Sequence, residues 1–359
     1  MRLTSVERVN RMLQRRDHDR VPRYDLYWPE TIERWQQEGL EGDADTVHDL
    51  LQADLRQLTW FEPRVYPGRS EVLSQTETQR VVLTEYGARL REWKGLSRTP
   101  EHLGFGCDSR RKWEQEYRPA ALAAGVQVNR AEVRRNYAQA QQEGRWAMVG
   151  CIEGYEFMKR LIGDEIALVA MAEDPDWIVD LSRVATDLLI LNLEAILADG
   201  MRAEGVFLSG DLAYNHAPLF SPAMYDALLR PDHERLVRWF HEHEMGIIFH
   251  TDGNVNLLVD RFIEVGFDSL HPLEACAHMD VRELAPRFGH RLSFWGNMDK
   301  MVTGAGDREQ VEHEVRSKLA AGMVGRGYGF HSDHSVPPSV SWGTYRFMIE
   351  LVERYGNYE

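Results

Sequence analysis

Residues 246–254 read GIIFHTDGN, a short apolar run that ends abruptly in polar side chains. Runs of the same kind recur along the second half of the chain, and stretches with helical periodicity separate them. The other runs are Ala147–Ile152, Gly205–Gly210, Asp268–Leu273, Leu292–Asn297 and Tyr328–Ser332. The intervening helices include Pro175–Ala198, Pro222–Glu242, Asn254–Val265, Val281–Arg287 and Glu309–Ala321. This alternation predicts an α/β fold with a parallel sheet.

Two earlier stretches complete the pattern. The run RVPRYDLYW at residues 20–28 is rich in residues that favour strands, and DLRQLTW at residues 54–60 predicts a second strand. Eight strand–helix units close naturally into a (β/α)8 TIM barrel, so we expect a single barrel domain over residues 1–359. An open doubly wound sheet would require a glycine-rich phosphate loop after an early strand, and neither G-x-G-x-x-G nor a Walker A sequence occurs.

Residues 63–146 interrupt this rhythm. Residues 79–94 alternate around Tyr86 and Gly87, which is typical of a β-hairpin. Residues 108–146 are rich in Arg, Gln and Glu, which predicts exposed helices. We therefore expect an N-terminal helical and hairpin insertion at about 63–146 that covers the barrel or forms a subunit contact.

The composition argues against several classes of protein. The 359 residues carry a formal net charge of −15, which argues against nucleic acid or an anionic membrane surface as a partner. No apolar run approaches the ~18 residues of a membrane-spanning helix, and the first residues are polar, unlike a signal peptide. Three scattered cysteines give no disulfide framework, so we expect a cytoplasmic protein.

The polar residues that follow the strands carry the functional signal. In parallel barrels the carboxyl ends of the strands build the active site. The candidate residues at these ends are Asp211, His250, Asp252, Glu274, Cys276, Asn297 and His334. Their convergence predicts a metal site or an acid–base site at one end of the barrel. Asp211 is equally suited to cap a helix.

The spacing of these residues favours metal ligation. His250 and Asp252 are two residues apart, so on an extended strand they point the same way, as two ligands or as an imidazole with an orienting carboxylate. An Asx turn that begins at Asp252 is the alternative. Glu274 and Cys276 have the same spacing, although a free cysteine is often simply a small buried residue. His334 by itself is also typical of a surface loop.

Five short motifs can be quoted in order along the chain. They are Gly154-Tyr155-Glu156-Phe157, Gly210-Asp211 followed by Ser221-Pro222-Ala223-Met224-Tyr225, His250-Thr251-Asp252-Gly253, Trp295-Gly296-Asn297-Met298-Asp299, and the loop from Gly329 to Pro338. Their order and spacing resemble the uroporphyrinogen decarboxylase superfamily, which includes the decarboxylases of haem synthesis and cobalamin-dependent methyltransferases on the same barrel. The resemblance runs from about residue 145 to the C-terminus and is weaker around residues 1–28.

The methyltransferase branch of this superfamily is the better match at the strand ends. Its zinc site is commonly a His-x-Cys pair with a late Cys. His250 stands at the histidine, and Asp252 and His334 stand at the two cysteines. The resemblance therefore implies zinc or another divalent metal on His250, Asp252 and His334, with Glu274 or Cys276 completing the site or with the fourth position open for substrate. Carboxylate and imidazole in place of thiolates make this a harder ligand set.

The methyltransferase resemblance implies a corrinoid-dependent enzyme that moves a methyl group between a small methylated substrate and a cobalamin or a thiol. The metal acts as a Lewis acid in this interpretation, and Asp211, His250 and His334 are the catalytic residues. The cobalamin is expected on a separate corrinoid protein. A homodimer is compatible with the resemblance.

The decarboxylase branch is the alternative. It implies a carboxy-lyase acting on a porphyrinogen or another aromatic acid, in which Asp211 or Asp25 stabilises a protonated intermediate and His334 is the acid. Members of that branch hold their substrate with an N-terminal loop that contains two arginines, whereas residues 21–28 offer only Arg23. A barrel that merely binds a small ligand is a third and less favoured interpretation. The residues expected to contact the substrate are Arg23, Tyr24, Asp25, Tyr155 and Asn297.

Overall fold

The structure is a computed structural model that describes residues 2–95 and 100–358. Its strands are β1 (Leu55–Phe61), β2 (Glu71–Gln75), β3 (Gln79–Leu83), β4 (Ala88–Trp93), β5 (Glu101–Phe105), β6 (Trp146–Ile152), β7 (Gly205–Ser209), β8 (Gly246–His250), β9 (Ser269–His271), β10 (Ser293–Trp295) and β11 (Tyr328–Gly329). Strand β1 and strands β6 to β11 pair in sequence order as one parallel sheet. Strands β2 to β5 form a separate antiparallel sheet. The predicted α/β class and parallel sheet are confirmed.

Helices connect the strands of the large sheet. They are α1 (Ser5–Leu13), α2 (Pro29–Gln37), α3 (Ala44–Leu51), α4 (Arg110–Lys112), α5 (Arg118–Ala123), α6 (Arg130–Glu143), α7 (Gly154–Leu161), α8 (Gly163–Glu173), α9 (Pro175–Ala198), α10 (Pro222–Leu228), α11 (Arg230–Glu242), α12 (Val259–Val265), α13 (Val281–Phe288), α14 (Lys300–Ala305), α15 (Arg308–Gly322) and α16 (Trp342–Tyr355). Residues 222–242 form two helices where one was predicted. Pro231 explains the break, because its ring has no amide hydrogen and crowds the preceding turn.

Strands β6 and β7 in the middle of the large sheet form as apolar runs because both of their faces are buried. Every residue of β6 is buried, as is every residue of β7, and this is the pattern of a parallel sheet covered by helices. Each fully buried Leu, Ile or Phe side chain contributes roughly 1.5–3 kcal/mol to folding. Among the residues that the structure describes, no helix combines the length and the apolarity that a membrane crossing requires.

Residues 22–24 link the two edges of the large sheet. The Phe330 amide, just after β11, donates to the Pro22 carbonyl at 2.8 Å, and the Asp54 amide, just before β1, donates to the Arg23 carbonyl at 2.7 Å. The continuous strand predicted over residues 20–28 is replaced by isolated bridges. Pro22 has no amide hydrogen to donate, so a regular ladder cannot continue through it.

The smaller sheet lies in the predicted insertion, between β1 and β6. The hairpin predicted around Tyr86 and Gly87 is confirmed, because β3 and β4 pair antiparallel with Val82 opposite Leu90. Gly87 has a φ of 76°, which a residue with a Cβ adopts only at a cost. Val82 and Leu90 share one face of this sheet, and that face is turned toward the carboxyl ends of the large sheet.

Candidate active site

Three polar side chains converge at the carboxyl ends of β7 and β8, the end of the large sheet that we call the mouth. One ligand atom from each of Asp211, His250 and Asp252 lies within 4.8 Å of the other two. We call these three residues the ligand cluster. The sequence predicted His250 and Asp252 as metal ligands and Asp211 as a catalytic residue, and the structure brings all three together.

The backbone that carries the ligand cluster is fixed by hydrogen bonds between neighbouring strand ends. The Gly210 amide donates to the His250 carbonyl at 2.9 Å, and the Asp252 amide donates to Oδ1 of Asp211 at 3.3 Å. Gly253 has a φ of 83°, and a Cβ there would lie 2.7 Å from the backbone of Ala213. The loop therefore approaches its neighbour closely, which aims Asp252 back toward His250.

The side chain of Asn254 forms the turn that follows β8. Oδ1 of Asn254 accepts from the amide of Asn256 at 3.1 Å, as in an Asx turn. Oδ1 of Asp252 is buried and has no hydrogen-bond partner among the described residues. The turn alternative for Asp252 therefore fails, and its carboxylate faces the ligand cluster.

His334 lies beside this carboxylate, at the edge of the ligand cluster. Nε2 of His334 is 3.4 Å from Oδ2 of Asp252, and its ring stacks on Trp28 with a centroid distance of 5.9 Å. Burial alone would raise the pKa of Asp252, but His250 and His334 outweigh burial and hold that pKa at about 2. The contact with Asp252 in turn raises the pKa of His334.

The donor atoms fit a divalent metal ion. Nε2 of His250 is 3.7 Å from Oδ1 of Asp211 and 3.9 Å from Oδ1 of Asp252, which is too long for hydrogen bonds. Two ligands that share a tetrahedral ion, each about 2.1 Å from it, lie roughly 3.4 Å apart. The observed distances of 3.7 and 3.9 Å are slightly longer than this value, so a bound cation would draw the side chains together by a few tenths of an ångström. The unpartnered oxygen of Asp252 is available to such a cation.

Glu274 and Cys276 belong to a neighbouring group. Nζ of Lys300 is 3.1 Å from Oε1 of Glu274, and Sγ of Cys276 donates to the same oxygen at 3.2 Å. Asp333 accepts from the backbone amide of Lys300 at 3.1 Å. We call Glu274, Cys276, Lys300 and Asp333 the Lys300 group. The structure thus places these two predicted metal ligands outside the ligand cluster, next to a protein cation.

The pKa values of the Lys300 group follow from burial and from this pairing. Burial and the hydrogen bond to Glu274 raise the pKa of the Cys276 thiol to about 11, so little thiolate is present at neutral pH. Burial raises the pKa of Asp333 to about 6, although Lys300 opposes this. A metal ion at Cys276 would therefore have to displace both the thiol hydrogen and its hydrogen bond to Glu274.

A cavity of about 600 Å³ lies between the smaller sheet and the mouth. Its size is that of a small-molecule site. The side chains of the smaller sheet form one wall, and helix α7 and the mouth form the other. The lining residues are Trp28, Glu62, Arg64, Ser70, Val82, Thr84, Glu85, Tyr86, Ala88, Leu90, Glu92, Pro100, His102, Glu156, Lys159, Arg160 and Asp211. Because Asp211 is among them, the cavity opens onto the ligand cluster.

The three cations in this lining are all engaged by carboxylates. Arg64 is 2.9 Å from Glu85, and Lys159 lies 3.3 Å from Asp211. The lining also includes further carboxylates, so acidic side chains outnumber Lys and Arg. Burial would lower the pKa of Lys159, but the neighbouring carboxylates raise it, so Lys159 remains a cation that positions Asp211.

The five predicted substrate contacts are buried elsewhere. None contributes to the lining of the cavity as the described residues form it. The carboxylate of Asp25 accepts from Oγ of Ser332 at 2.9 Å and from the hydroxyl of Tyr345 at 3.0 Å. The remaining four are Arg23, Tyr24, Tyr155 and Asn297, each less than 5% exposed. Contact with substrate stays a prediction for all five.

Sequence reasoning missed three residues around the mouth. Glu153 follows β6 and accepts from the amides at the start of α7. Lys159 lies on α7 beside Asp211, and His271 ends β9 with Nδ1 2.7 Å from Nδ1 of His250. Glu153 and His271 carry the same signal as the predicted residues, a polar side chain at the end of an apolar run. Lys159 gives no such signal, because a lysine within a predicted helix is usually a solvent-exposed surface residue.

Comparison with known proteins agrees with this architecture. The family model for uroporphyrinogen decarboxylase (URO-D) matches residues 119–355. A uroporphyrinogen decarboxylase from Actinobacillus pleuropneumoniae serotype 5b (strain L20) is 27% identical over 187 residues, which is 52% of this chain and 50% of that protein. One from Saccharopolyspora erythraea is 40% identical over 88 residues, 24% of this chain and 23% of that protein. The match thus spans half or less of these relatives' length.

The fold also has a counterpart among solved structures. A methyltransferase from Methanosarcina mazei superposes with a TM-score of 0.68 and covers 98% of this chain and 99% of its own. The sequences are 15% identical. At that identity the similarity shows a shared fold.

Proposed function

We propose that this protein, which belongs to the uroporphyrinogen decarboxylase family, is an enzyme that transfers a methyl group with a divalent metal ion at the mouth. The proposal takes the parallel sheet as a (β/α)8 barrel in which residues 22–24 supply the eighth strand. The methyl group would pass between a small methylated substrate and a cobalamin carried by a separate corrinoid protein, or a thiol.

The ligand cluster is the observation that carries the proposal. It combines two carboxylates and an imidazole at distances suited to one ion, and Oδ1 of Asp252 is buried with no partner among the described residues. Leaving a buried polar atom unsatisfied costs about 1–3 kcal/mol, and a bound cation would offset that cost. His334 is close enough to Asp252 to serve as a fourth ligand after a small movement.

The ligand set suggests which ions are suitable. Carboxylate and imidazole accept zinc as well as other first-row divalent metals. When bound, such an ion would act as a Lewis acid on the oxygen, nitrogen or sulfur that carries the methyl group, which keeps the bonding electron pair when the methyl group leaves. We therefore propose zinc, with other divalent ions as outcomes of elemental analysis.

The protein's own residues would prepare the substrate. The cavity beside Asp211 is large enough to hold a small molecule next to the ligand cluster. Lys159 holds Asp211 in place, since its ammonium group bridges Asp211 and Glu156. Trp28 lines the cavity and stacks on His334, so it fixes the orientation of that imidazole.

Decarboxylation is the second candidate, because the curated relatives carry that name. A porphyrinogen with many carboxylates would need several free cations around it. The Lys and Arg residues of the cavity are already paired with protein carboxylates. Transferring such a substrate into an acid-rich cavity would bring like charges together, which is unfavourable. The charge of the cavity thus favours methyl transfer over decarboxylation.

Elemental analysis of the purified protein, followed by activity assays, tests the proposal. We expect a divalent metal near one equivalent in the wild-type protein and in His313→Ala, which removes an exposed histidine on α15. His334→Ala is expected to retain less metal and to lose methyl transfer to free cobalamin reduced to the Co(I) state, which supplies the electron pair for the new cobalt–carbon bond. A metal-free wild-type protein that turns over a porphyrinogen would establish the decarboxylase alternative instead.

A further inference from the structure

Two buried histidines lie behind the ligand cluster, and neither has a part in the reaction proposed above. His271 ends β9 and is 2% exposed, and His331 follows β11 and is 1% exposed. Nε2 of each ring is buried without a hydrogen-bond partner among the described residues. Only His271 forms a hydrogen bond with a member of the cluster, because its Nδ1 lies 2.7 Å from Nδ1 of His250.

The hydrogen bond between Nδ1 of His250 and Nδ1 of His271 contains one proton, which is bound to one of the two nitrogens. Two ring nitrogens at this distance attract each other only when one donates an N–H and the other accepts it. A neutral imidazole carries its proton on one nitrogen only. The direction of this single hydrogen bond therefore decides which nitrogen of His250 has a free electron pair.

The two directions have opposite consequences at the ligand cluster. If His250 donates from Nδ1, its Nε2 has a free electron pair and faces Asp211 at 3.7 Å, as a metal ligand would. If His271 donates instead, Nε2 of His250 carries the hydrogen and points it at the carboxylates. That second arrangement blocks the ion, so His250 can bind metal through Nε2 only in the arrangement in which His271 is the acceptor.

The surrounding structure holds both rings for this contact. His250 and His271 are opposite each other in the pairing of β8 with β9. Phe207 packs against both rings, with centroid distances of 5.3 Å to His250 and 4.9 Å to His271. Because His271 is buried, no solvent molecule competes for Nδ1 of His250 from that side.

We propose that His271 is a positioning residue that accepts the Nδ1 hydrogen of His250 and so presents Nε2 of His250 to the metal ion. The inference rests on the proposed metal site and adds a residue to it. Ligand histidines generally donate their second ring hydrogen to a partner that fixes the ring, and the loss of such a partner lowers metal affinity by about 10–100-fold.

Titration of the metal-free, full-length protein with Co²⁺, followed by its absorption spectrum, tests the assignment. His271→Phe removes the acceptor and keeps an aromatic ring, so we expect roughly 10–100-fold weaker Co²⁺ binding. His271→Asn places an amide oxygen near the former Nδ1, so we expect it to restore most of the affinity. His331→Phe is the matched control, because it changes an equally buried histidine that has no hydrogen bond to His250.

Each other result would overturn the assignment. Unchanged affinity in His271→Phe would show that the contact does not matter, and equal losses in His271→Phe and His271→Asn would show a packing role only. If the wild-type protein binds no Co²⁺, the proposed function loses its metal site. The position of the ring hydrogen of His250, measured by ¹⁵N nuclear magnetic resonance on the metal-free protein, then decides the role of His271 separately. Hydrogen on Nδ1 in the wild type and on Nε2 in His271→Phe supports the assignment, whereas hydrogen on Nε2 in the wild type contradicts it.

Discussion

The ligand cluster and the Lys300 group lie at the ends of adjoining strands and contain similar side chains, but their charges are balanced differently. In the Lys300 group the ammonium of Lys300 lies 3.1 Å from the carboxylate of Glu274. In the ligand cluster one oxygen of Asp252 has no hydrogen-bond partner among the described residues. The comparison teaches that a carboxylate at a strand end is a candidate ligand when one of its buried oxygens has no partner among the described residues.

Replacing one residue from each region should separate them most clearly. His250→Ala removes the central nitrogen of the ligand cluster, so we expect metal affinity to fall by more than the roughly 100-fold upper range of an outer-shell change. Glu274→Gln in the Lys300 group should leave the affinity within about twofold, because Lys300 already occupies that carboxylate. Competition titration with a chromogenic chelator measures both. Equal losses in the two variants would mean that the two regions form a single site.

Replacing Asp252 or Asp333 compares one carboxylate from each region, and we expect a smaller difference in metal affinity than in the first comparison. Asp252→Asn keeps the shape of the side chain and removes its charge, so we expect metal affinity to fall by about 10–100-fold, comparable to the loss of an orienting partner. Asp333→Asn changes a carboxylate of the Lys300 group and serves as the matched control. The same titration applies. Retention of full affinity by Asp252→Asn would remove Asp252 from the ligands.

The pH dependence of stability should single out the Lys300 group. Burial raises the pKa of Asp333 to about 6, so between about pH 4 and pH 6 the folded protein binds a proton that the unfolded chain has released. The free energy of unfolding therefore falls as the pH rises through this window. Asp333→Asn lacks this dependence, so we expect its stability relative to wild type to improve by about 2 kcal/mol from pH 4 to pH 7.

Urea unfolding at pH 4, 5, 6 and 7 measures this shift. Asp17→Asn is the control, because the side chain of Asp17 is 91% exposed. Parallel pH profiles for the wild type and Asp333→Asn would contradict the expectation.

The smallest expected effect concerns the thiol of the Lys300 group. Glu274 contributes to the high pKa of Cys276 through a hydrogen bond and through its charge. Glu274→Gln should lower that pKa and speed alkylation of the native protein by iodoacetamide at pH 8, by roughly three- to tenfold. Cys107 and Cys151 are buried, so Cys276→Ser should show almost no labelling. An unchanged rate in Glu274→Gln would argue that Glu274 does not control the reactivity of this exposed thiol.

The sequence predicts well whatever depends on local periodicity. The run 246–249 forms a strand because both of its faces are buried, and the strand delivers His250 to its carboxyl end. Asp252 lies in the loop just beyond the strand, where the close approach of Gly253 to Ala213 turns it toward His250. The placement of these residues at one end of a parallel sheet follows from the strand–helix alternation. The ligand cluster was therefore largely accessible from sequence.

Pairing between distant residues was not accessible in the same way. Lys300 and Glu274 are 26 positions apart in the chain and meet through the long side chain of Lys300. No local sequence pattern predicts such a contact. Asp25 likewise is buried against Ser332 and Tyr345, more than 300 positions away. Only the packing of the folded chain reveals which of the predicted residues remain free to bind a ligand.

The smaller sheet has a consequence for how this protein's lineage can change. The chain leaves the large sheet after β1 and returns at β6, and the smaller sheet between them contributes one wall of the cavity without supplying a described residue to the ligand cluster. Mutation, insertion or deletion in β2 to β5 can therefore alter which molecule fits, while the inherited chemistry at the strand ends is untouched. Selection for a new substrate can therefore act on the segment that encodes the smaller sheet, separately from the segments that encode the ligand cluster.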